Sequence, residues 1–263
     1  MKKLSVLIMT ALICVTNMVA QQIPAGRDIL PVVLDFAYDK EYFIESEIQV
    51  ADVVNNEYLI SGYGVKKMGV GYTRQDYTVQ ITRKDTELII TVSDMLSVGS
   101  DKEGVPLPTA TQTGNTAKST EKTRLAIQKD LSKRLNSWGD KEYRQKLNVA
   151  LTSPVILSTI ARQSALVFKK FISDNKIVGK ATDFQIKVIS VDKSPVDGFK
   201  NCITGQAFCG YKTGSGGIPK PEYVTVSVYT DKTTAEENYT VRGTIRDVKR
   251  ADVGGLASIE VNE

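Results

Sequence analysis

The fold is decided by a helical block, residues 119–175, which reads STEKTRLAIQKDLSKRLNSWGDKEYRQKLNVALTSPVILSTIARQSALVFKKFISDN. Its apolar residues recur at the three- and four-residue spacing of an α-helix, whereas the sequence on both sides alternates as strands do. Gly139 and Ser153 interrupt the block. It therefore predicts three consecutive helices between two β-rich regions.

The first two predicted helices each carry one apolar stripe. The first can be capped by Ser119 or Thr120 and extends to Trp138, and the second begins at Asp140 and ends near Thr152. Both are expected to lie on the surface with one face buried. The stripes consist of Ile127, Leu131, Leu135 and Trp138 in the first helix and of Tyr143, Leu147, Ala150 and Leu151 in the second.

The third predicted helix is the centre of the expected core. Ser153 can cap it, and Pro154 occupies the first helical position, where a missing backbone N–H costs nothing. Apolar side chains cover most of its circumference as far as Ile172. Burying each Leu, Ile or Phe side chain contributes about 1.5 to 3 kcal/mol, so we expect the sheets to fold against this helix.

Strand-like segments flank the helical block on both sides. Before it, residues 28–39 form an apolar run that Pro31 interrupts, as in an edge strand, and residues 77–92 alternate as a hairpin. Residues 97–118 contain almost no large apolar side chain and are expected to be a flexible linker or a long surface loop. The other predicted strands are residues 47–54, 57–65, 184–191, 223–230, 238–248 and 256–261.

Together these segments predict an α+β protein with an N-terminal antiparallel sheet, a central three-helix segment and a C-terminal β-rich module. The expected divisions are a signal peptide at 1–20, the N-terminal sheet at 21–96, the linker at 97–118, the helical segment at 119–175 and the C-terminal module at 176–263.

The first twenty residues have the composition of a secretory signal peptide. Two lysines precede an apolar run at residues 4–15, and Ala20 precedes Gln21. A membrane-spanning helix needs about 20 apolar residues, so the shorter run predicts a cleaved signal. A lipid on Cys14 is disfavoured because Ile13 stands where a lipobox needs a small residue. We expect an exported bacterial protein that is periplasmic, outer-membrane-associated or secreted, with no transmembrane helix in the mature chain.

Composition excludes several classes of function. The formal charge is +4, and +2 without the two lysines of the signal, which gives no argument for nucleic-acid binding. The chain has no histidine, so Ser-His-Asp and Cys-His catalysis and the usual zinc sites are excluded. We expect neither a metal nor another cofactor. Acidic residues near the start could supply paired carboxylates for a glycosidase, or they could form a solvated strand edge: Asp35, Asp39, Glu41, Glu45 and Glu47.

Two cysteines remain after the signal, Cys202 and Cys209, in a segment that reads as a loop. In an oxidising compartment they are expected to form a local disulfide that contributes about 2 to 3 kcal/mol. The surrounding segment, residues 195–221, is rich in glycine. A loop pinned by a disulfide exposes backbone on a rigid base, so we expect any ligand or partner to bind there.

Three short motifs resemble those of the penicillin-recognising serine enzymes and occur in the same order. They are S-T-x-K at residues 119–122, S-D-N at residues 173–175 and K-T-G at residues 212–214. The resemblance implies that Ser119 is the nucleophile and Lys122 its base. It also implies that Ser173 and Asn175 form the second wall of a cleft, and that Lys212 with Thr213 anchors a substrate carboxylate.

Two further resemblances concern the β-rich regions. The N-terminal region looks like the secreted bacterial domains of unknown function with a TATA-binding-protein-like α+β fold, through Ile60, Gly62, Gly64, residues 77–81, Lys84, Asp85 and residues 89–94. The last two strands look like coiled barrel strands of oligonucleotide-binding folds, through Val241, Gly243, Ile245, Val248, Gly255 and Ile259.

We therefore expect a non-catalytic envelope or secreted protein that binds or scaffolds an envelope or extracellular partner, with the ligand unidentified. The alternative hypothesis is a serine acyl enzyme that uses Ser119 and Lys122.

Overall fold

A computed structural model describes residues 29–39, 41–52, 57–84, 87–213 and 219–263. The predicted signal peptide, Cys14, the turn residue Asp85 and residues 214–217 of the glycine-rich segment lie outside these ranges. Within them the chain is α+β, with an N-terminal antiparallel sheet, central helices and a C-terminal barrel, as the sequence predicts.

The N-terminal sheet is a simple antiparallel meander of consecutive strands. Strands β1 to β5 lie side by side in chain order, and each pairs with the next. The predicted hairpin of residues 77–92 is confirmed as the pairing of β3 with β4. The strands are β1 (Glu45–Asp52), β2 (Glu57–Met68), β3 (Gly71–Lys84), β4 (Glu87–Ser100) and β5 (Thr113–Gly114).

The segment before this sheet is a helix, α1 (Leu30–Ala37), and the prediction of an edge strand there is wrong. Seven of its eight residues are buried, and Asp35 is the exception. Because an apolar run of this kind has no polar stripe, it shows neither the helical nor the strand period. Pro31 lies in the first turn, where it interrupts no helical hydrogen bond.

The helical block contains four α-helices rather than three. Asp140 and Ser153 cap their helices as predicted, whereas the first helix is capped by Thr116 instead of Ser119 or Thr120. The expected long core helix ends at Ala161, and a new helix starts after the Ser164 cap. The helices are α2 (Ala117–Asn136), α3 (Lys141–Leu151), α4 (Pro154–Ala161) and α5 (Ala165–Asp174), with a 3₁₀ turn (Ser137–Gly139) between α2 and α3.

Of the segment predicted as a flexible linker or long surface loop, residues 97–100 belong to β4 and residues 117–118 to α2, and residues 101–116 connect these two elements. Gly104 is buried, and the side chain of Asp101 accepts hydrogen bonds from the backbone N–H groups of Glu103 and Val105. The short strand β5 extends the sheet beside β4. Hydrogen bonds to the Asp101 side chain therefore fix the turn in a segment that has few apolar side chains.

The C-terminal module is a closed barrel in the order β10-β8-β7-β6-β9. Strands β6, β7 and β8 form an antiparallel meander, β8 pairs in parallel with β10, and β9 closes the barrel between β10 and β6. This five-stranded arrangement is similar to the Greek-key barrel of oligonucleotide-binding folds. The strands are β6 (Ala181–Lys193), β7 (Asn201–Thr213), β8 (Pro219–Thr230), β9 (Asn238–Arg250) and β10 (Leu256–Asn262).

The turn after α4 joins the sheet to the barrel. On the barrel side, Arg250 donates to the carbonyl oxygens of Ala161 and Gln163 at 2.8 and 3.0 Å. On the sheet side, the Gln163 side chain hydrogen-bonds to the outer edge of β1. The buried apolar residues of the sheet, helices and barrel form one continuous core. None of the described helices is both long and apolar enough to cross a membrane.

Candidate functional site

The segment expected to be a binding loop is largely a β-hairpin. Strands β7 and β8 are paired along their whole length, from Asn201 opposite Thr230 to Thr213 opposite Pro219. Of the described part of residues 195–221, only 195–200 lie outside these strands. Apolar side chains such as Ile203 and Ala207 alternate inward and fill the barrel. The hairpin is therefore part of a rigid wall.

The expected disulfide between Cys202 and Cys209 is wrong for this fold. Both cysteines are free and buried, and they lie seven residues apart on the extended strand β7. At about 3.3 Å per residue, their Cα atoms are about 23 Å apart. A disulfide needs Cα atoms within about 7 Å. Cys209 contributes a small apolar side chain to the core, whereas Cys202 is buried on the opposite face of β7 from Ile203.

A β-bulge in β7 changes which side chains face outward. The register between β7 and β8 shifts between Phe208 and Gly210, and Gly210 has a φ of +126°. A regular strand would direct Phe208 and Tyr211 to opposite faces, because they are an odd number of residues apart. The extra residue of the bulge reverses the alternation, so Phe208 and Tyr211 are both exposed while Cys209 between them is buried.

Three rings gather on the outer surface of the hairpin. Tyr223 lies directly opposite Phe208 in the β7–β8 register. The ring centroid of Phe208 is 5.1 Å from that of Tyr211 and 6.2 Å from that of Tyr223, both in edge-to-face orientation. Phe208 is 40% exposed, Tyr211 is 51% exposed and Tyr223 is 55% exposed. We call this group the aromatic face.

An ion pair connects the aromatic face to the helices. The guanidinium of Arg162, just after α4, donates a hydrogen bond to the carboxylate of Glu222, next to Tyr223. Both side chains are partly exposed, so they remain accessible to a ligand. Below them the Cys209 thiol is buried against Ser158, and burial raises the pKa of the thiol. A protonated thiol is a poor nucleophile, so Cys209 has a packing role.

The aromatic face borders a cleft of about 1970 Å³ between the sheet and the barrel. Residues of α1, β1 and β2 line one side, residues of β7, β8 and the β9–β10 turn line the other, and α4 contributes between them. Among the described lining residues there are five carboxylates, Asp35, Asp39, Glu47, Glu103 and Glu222, and three cations, Arg74, Lys146 and Arg162.

Two of these carboxylates hold the helices together. Arg134 of α2 donates to Asp35 and Asp39 as well as to Asp130 of its own helix. Burial alone would lower the pKa of Arg134, but the hydrogen bonds to Asp130 and Asp39 and the nearby charge of Asp35 outweigh it and raise that pKa. Tyr143 of α3 also donates to Asp35 at 3.2 Å. This arrangement gives Asp35 and Asp39 a structural role.

The structure places the residues of the three penicillin-enzyme motifs on different elements. Ser119 lies in the first turn of α2, and the charge of Lys122 acts on Lys66 of β2. Ser173 is exposed near the end of α5, and the Asn175 side chain donates to the Phe171 carbonyl oxygen. Lys212 and Thr213 are in β7, and their side chains are not described. Among the described side chains, no contact brings these groups together.

Sequence reasoning did not find the aromatic face. Phe208 and Tyr211 have the wrong spacing for one face of a regular strand, and Tyr223 joins them only through the register. Gly210 beside an aromatic residue is a weak signal of a bulge. No group of three or more cysteine or acidic residues in the described part of the chain could hold a metal ion.

No protein-family model, curated protein or solved structure matches this chain. The resemblance of the N-terminal region to TATA-binding-protein-like domains therefore stays a prediction.

Proposed function

We propose that this chain is an exported, non-catalytic protein of the bacterial cell envelope that binds a strand of uncharged or weakly charged polysaccharide. The observation that carries the proposal is the exposed aromatic face beside a long cleft. Exposed apolar patches rimmed by polar residues often mark sites where a ligand or partner binds. The signal-like N-terminus supports the exported location.

The chemistry of the aromatic face fits sugar rings. A pyranose ring has an apolar C–H face that packs on an aromatic ring, and its hydroxyl groups both donate and accept hydrogen bonds. Arg162 can donate to such hydroxyls and Glu222 can accept from them, within reach of the same three rings. Barrels of this topology use the same strands and the adjoining loops to bind oligosaccharides as well as oligonucleotides.

The charges of the cleft argue against a nucleic acid. Proteins that bind single-stranded nucleic acids without sequence preference combine stacking rings with a positively charged groove. Here the carboxylates among the described lining residues outnumber the cations. The cleft therefore lacks the positively charged groove that binds a polyphosphate backbone, and a neutral polymer does not need one.

The carboxylates of the cleft also favour binding over catalysis. Asp35 and Asp39 are paired with Arg134, and Glu222 is paired with Arg162. A glycosidase acid needs a raised pKa, whereas the pKa of Asp39 is lowered, because hydrogen bonds from the Glu41 backbone and from Arg134 outweigh the effect of burial. The absence of histidine from the sequence removes the commonest general base.

The test is co-sedimentation of the mature protein with insoluble neutral polysaccharides and with purified peptidoglycan. We expect Phe208→Ala, Tyr211→Ala and Tyr223→Ala each to weaken binding about five- to tenfold, and the triple variant to abolish it. The matched control is Leu166→Ala, which removes an exposed apolar side chain from α5.

Two results would overturn the proposal. One is undiminished polysaccharide binding by the triple variant. The other is the absence of polysaccharide binding together with a protein partner that requires the three rings, which would make the aromatic face a protein-docking site. Thermal unfolding of each variant checks that the barrel remains folded.

A further inference from the structure

A second unexplained surface lies at the end of the β2–β3 hairpin, residues 66–71, here called the hairpin tip. Strands β2 and β3 pair as far as Met68 with Gly71, joined by a turn at Gly69 and Val70. The pairing of β1 with β2 ends at Tyr63, so the hairpin extends beyond the edge strand. None of residues 66–71 lines the cleft beside the aromatic face.

Two large apolar side chains are exposed at the hairpin tip. Met68 is 65% exposed, and Val70 is fully exposed in the turn. Glycines on both sides of Val70 provide no side chain that could cover it. Hairpin turns usually carry polar residues at such positions.

Lysines surround these apolar residues. Lys66 and Lys67 directly precede Met68 in β2, and both are exposed. Burial lowers the pKa of Lys66, and the nearby positive charge of Lys122 in α2 lowers it further. Within the described part of the chain, no carboxylate forms an ion pair with Lys66, Lys67 or Lys122. An external anion would stabilise these neighbouring positive charges, which have no carboxylate partner among the described residues.

We propose that the hairpin tip docks on the surface of a bilayer that contains anionic lipids. Met68 and Val70 enter the headgroup region, while Lys66, Lys67 and Lys122 approach the lipid phosphates. Apolar residues beside basic ones are the combination that binds peripheral proteins to membrane interfaces. A soluble polyanion would engage the lysines but would leave Met68 and Val70 in water, so the apolar pair favours a lipid surface.

The docking is expected to be reversible. Two apolar side chains and three lysines should bind a membrane more weakly than a covalently attached lipid does. Stable attachment usually needs two such elements, for example two acyl chains or one acyl chain with a basic patch. Tyr72 pairs with Lys67 across the hairpin and is half-buried, so its ring can lie at headgroup level. The inference does not depend on the aromatic face or on its ligand.

The experiment is co-sedimentation of the mature chain with vesicles of phosphatidylcholine alone and with vesicles that also contain phosphatidylglycerol. We expect at least tenfold tighter binding to the anionic vesicles at low salt, and a large loss of that binding at 0.5 M salt, on the order of tenfold. The double variants Met68→Ser/Val70→Ser and Lys66→Gln/Lys67→Gln should each reduce binding to anionic vesicles about tenfold or more.

Matched controls come from the same chain. Val253→Ser removes another fully exposed valine, in the β9–β10 turn, and Lys169→Gln removes an exposed lysine from α5. Neither substitution should change vesicle binding. Equal binding to neutral and anionic vesicles, or full binding by the Met68→Ser/Val70→Ser variant, would overturn the proposal. A third result would also overturn it: only the lysine substitutions reduce vesicle binding, and soluble polyphosphate competes with the vesicles. The hairpin tip would then bind a soluble polyanion rather than a lipid surface.

Discussion

The side-chain amide of Gln163 hydrogen-bonds to strand β1 as a neighbouring strand would. Its Nε2 atom donates to the carbonyl oxygen of Ile48 at 3.1 Å, and its Oε1 atom accepts from the backbone N–H of Val50 at 3.3 Å. One side chain thus satisfies two backbone groups at the outer edge of the N-terminal sheet. Because Arg250 holds the backbone of the same residue, Gln163 links the sheet to the barrel.

Replacing Gln163 with alanine should lower the free energy of unfolding by about 1 to 2 kcal/mol, because two partly buried backbone groups lose their partner. Urea denaturation measures the change. Gln145→Ala, at an exposed position of α3, is the control and should change stability by less than about 0.5 kcal/mol. Equal effects of the two substitutions would show that the link to β1 is unimportant.

Replacing Arg134 with glutamine should destabilise the protein by roughly 3 kcal/mol at neutral pH, because Asp35, Asp39 and Asp130 lose their shared cation. The control is Arg242→Gln, whose guanidinium is 75% exposed, so its ion pair with Asp183 should contribute little. If Arg134→Gln lowered the free energy of unfolding as little as Arg242→Gln, the ion pairs of Arg134 with the three aspartates would have no structural role.

The contribution of Asp39 should disappear in acid. Burial raises the pKa of Asp39, but hydrogen bonds from the Glu41 backbone and from Arg134 outweigh it, and the folded-state pKa is lowered. The stabilisation is therefore present above the unfolded pKa near 4 and is lost as the pH falls through the folded value. Urea midpoints at pH 7 and pH 3 should show a smaller difference between wild type and Arg134→Gln at pH 3. A constant difference would contradict this assignment.

Both thiols of the mature chain should be free. In denaturant without reductant, a chain expressed from Gln21 onward should react with two equivalents of a thiol reagent, while the folded protein should react slowly because Cys202 and Cys209 are buried. Intact mass spectrometry counts the adducts. Reaction only after reduction would show a disulfide, and with it a different path for β7.

Replacing Gly243 with alanine should push β9 away from β10 and destabilise the barrel. A Cβ atom at this position would lie 2.3 Å from the carbonyl oxygen of Asn262, so β9 and β10 could not approach each other as they do. We expect the free energy of unfolding to fall by about 3 kcal/mol, at the upper end of the range for overpacked cores. Gly139→Ala is the control, because nothing lies within 4 Å of its Cβ position. Thermal unfolding distinguishes the two variants.

Much of the fold follows from local sequence patterns. Asp140 and Ser153 are strong caps before apolar periodic sequence, and both begin helices as predicted. The alternation of Tyr77, Val79 and Ile81 likewise predicts a strand whose inward residues are buried. Each of these signals involves only a few neighbouring residues.

The sequence-based predictions fail where contacts with distant parts of the chain determine the local structure. The α1 segment is apolar on every side because sheet and helices surround it, so no period marks it as a helix. Strand β7 is rich in small and polar residues, and it reads as a loop until β6 and β8 supply its pairing. The aromatic face depends on the bulge at Gly210 and on the register of Phe208 with Tyr223, neither of which is visible in the sequence.

The parallel pairing of β8 with β10 affects how the barrel folds while the chain is being synthesised. Strand β10 follows the other four barrel strands in the chain, yet it must lie between β8 and β9. Until β10 emerges, β8 and β9 each present an unpaired edge that could join a neighbouring chain. Non-local closure of this kind is slow, so a nascent chain would depend on holding factors during that interval.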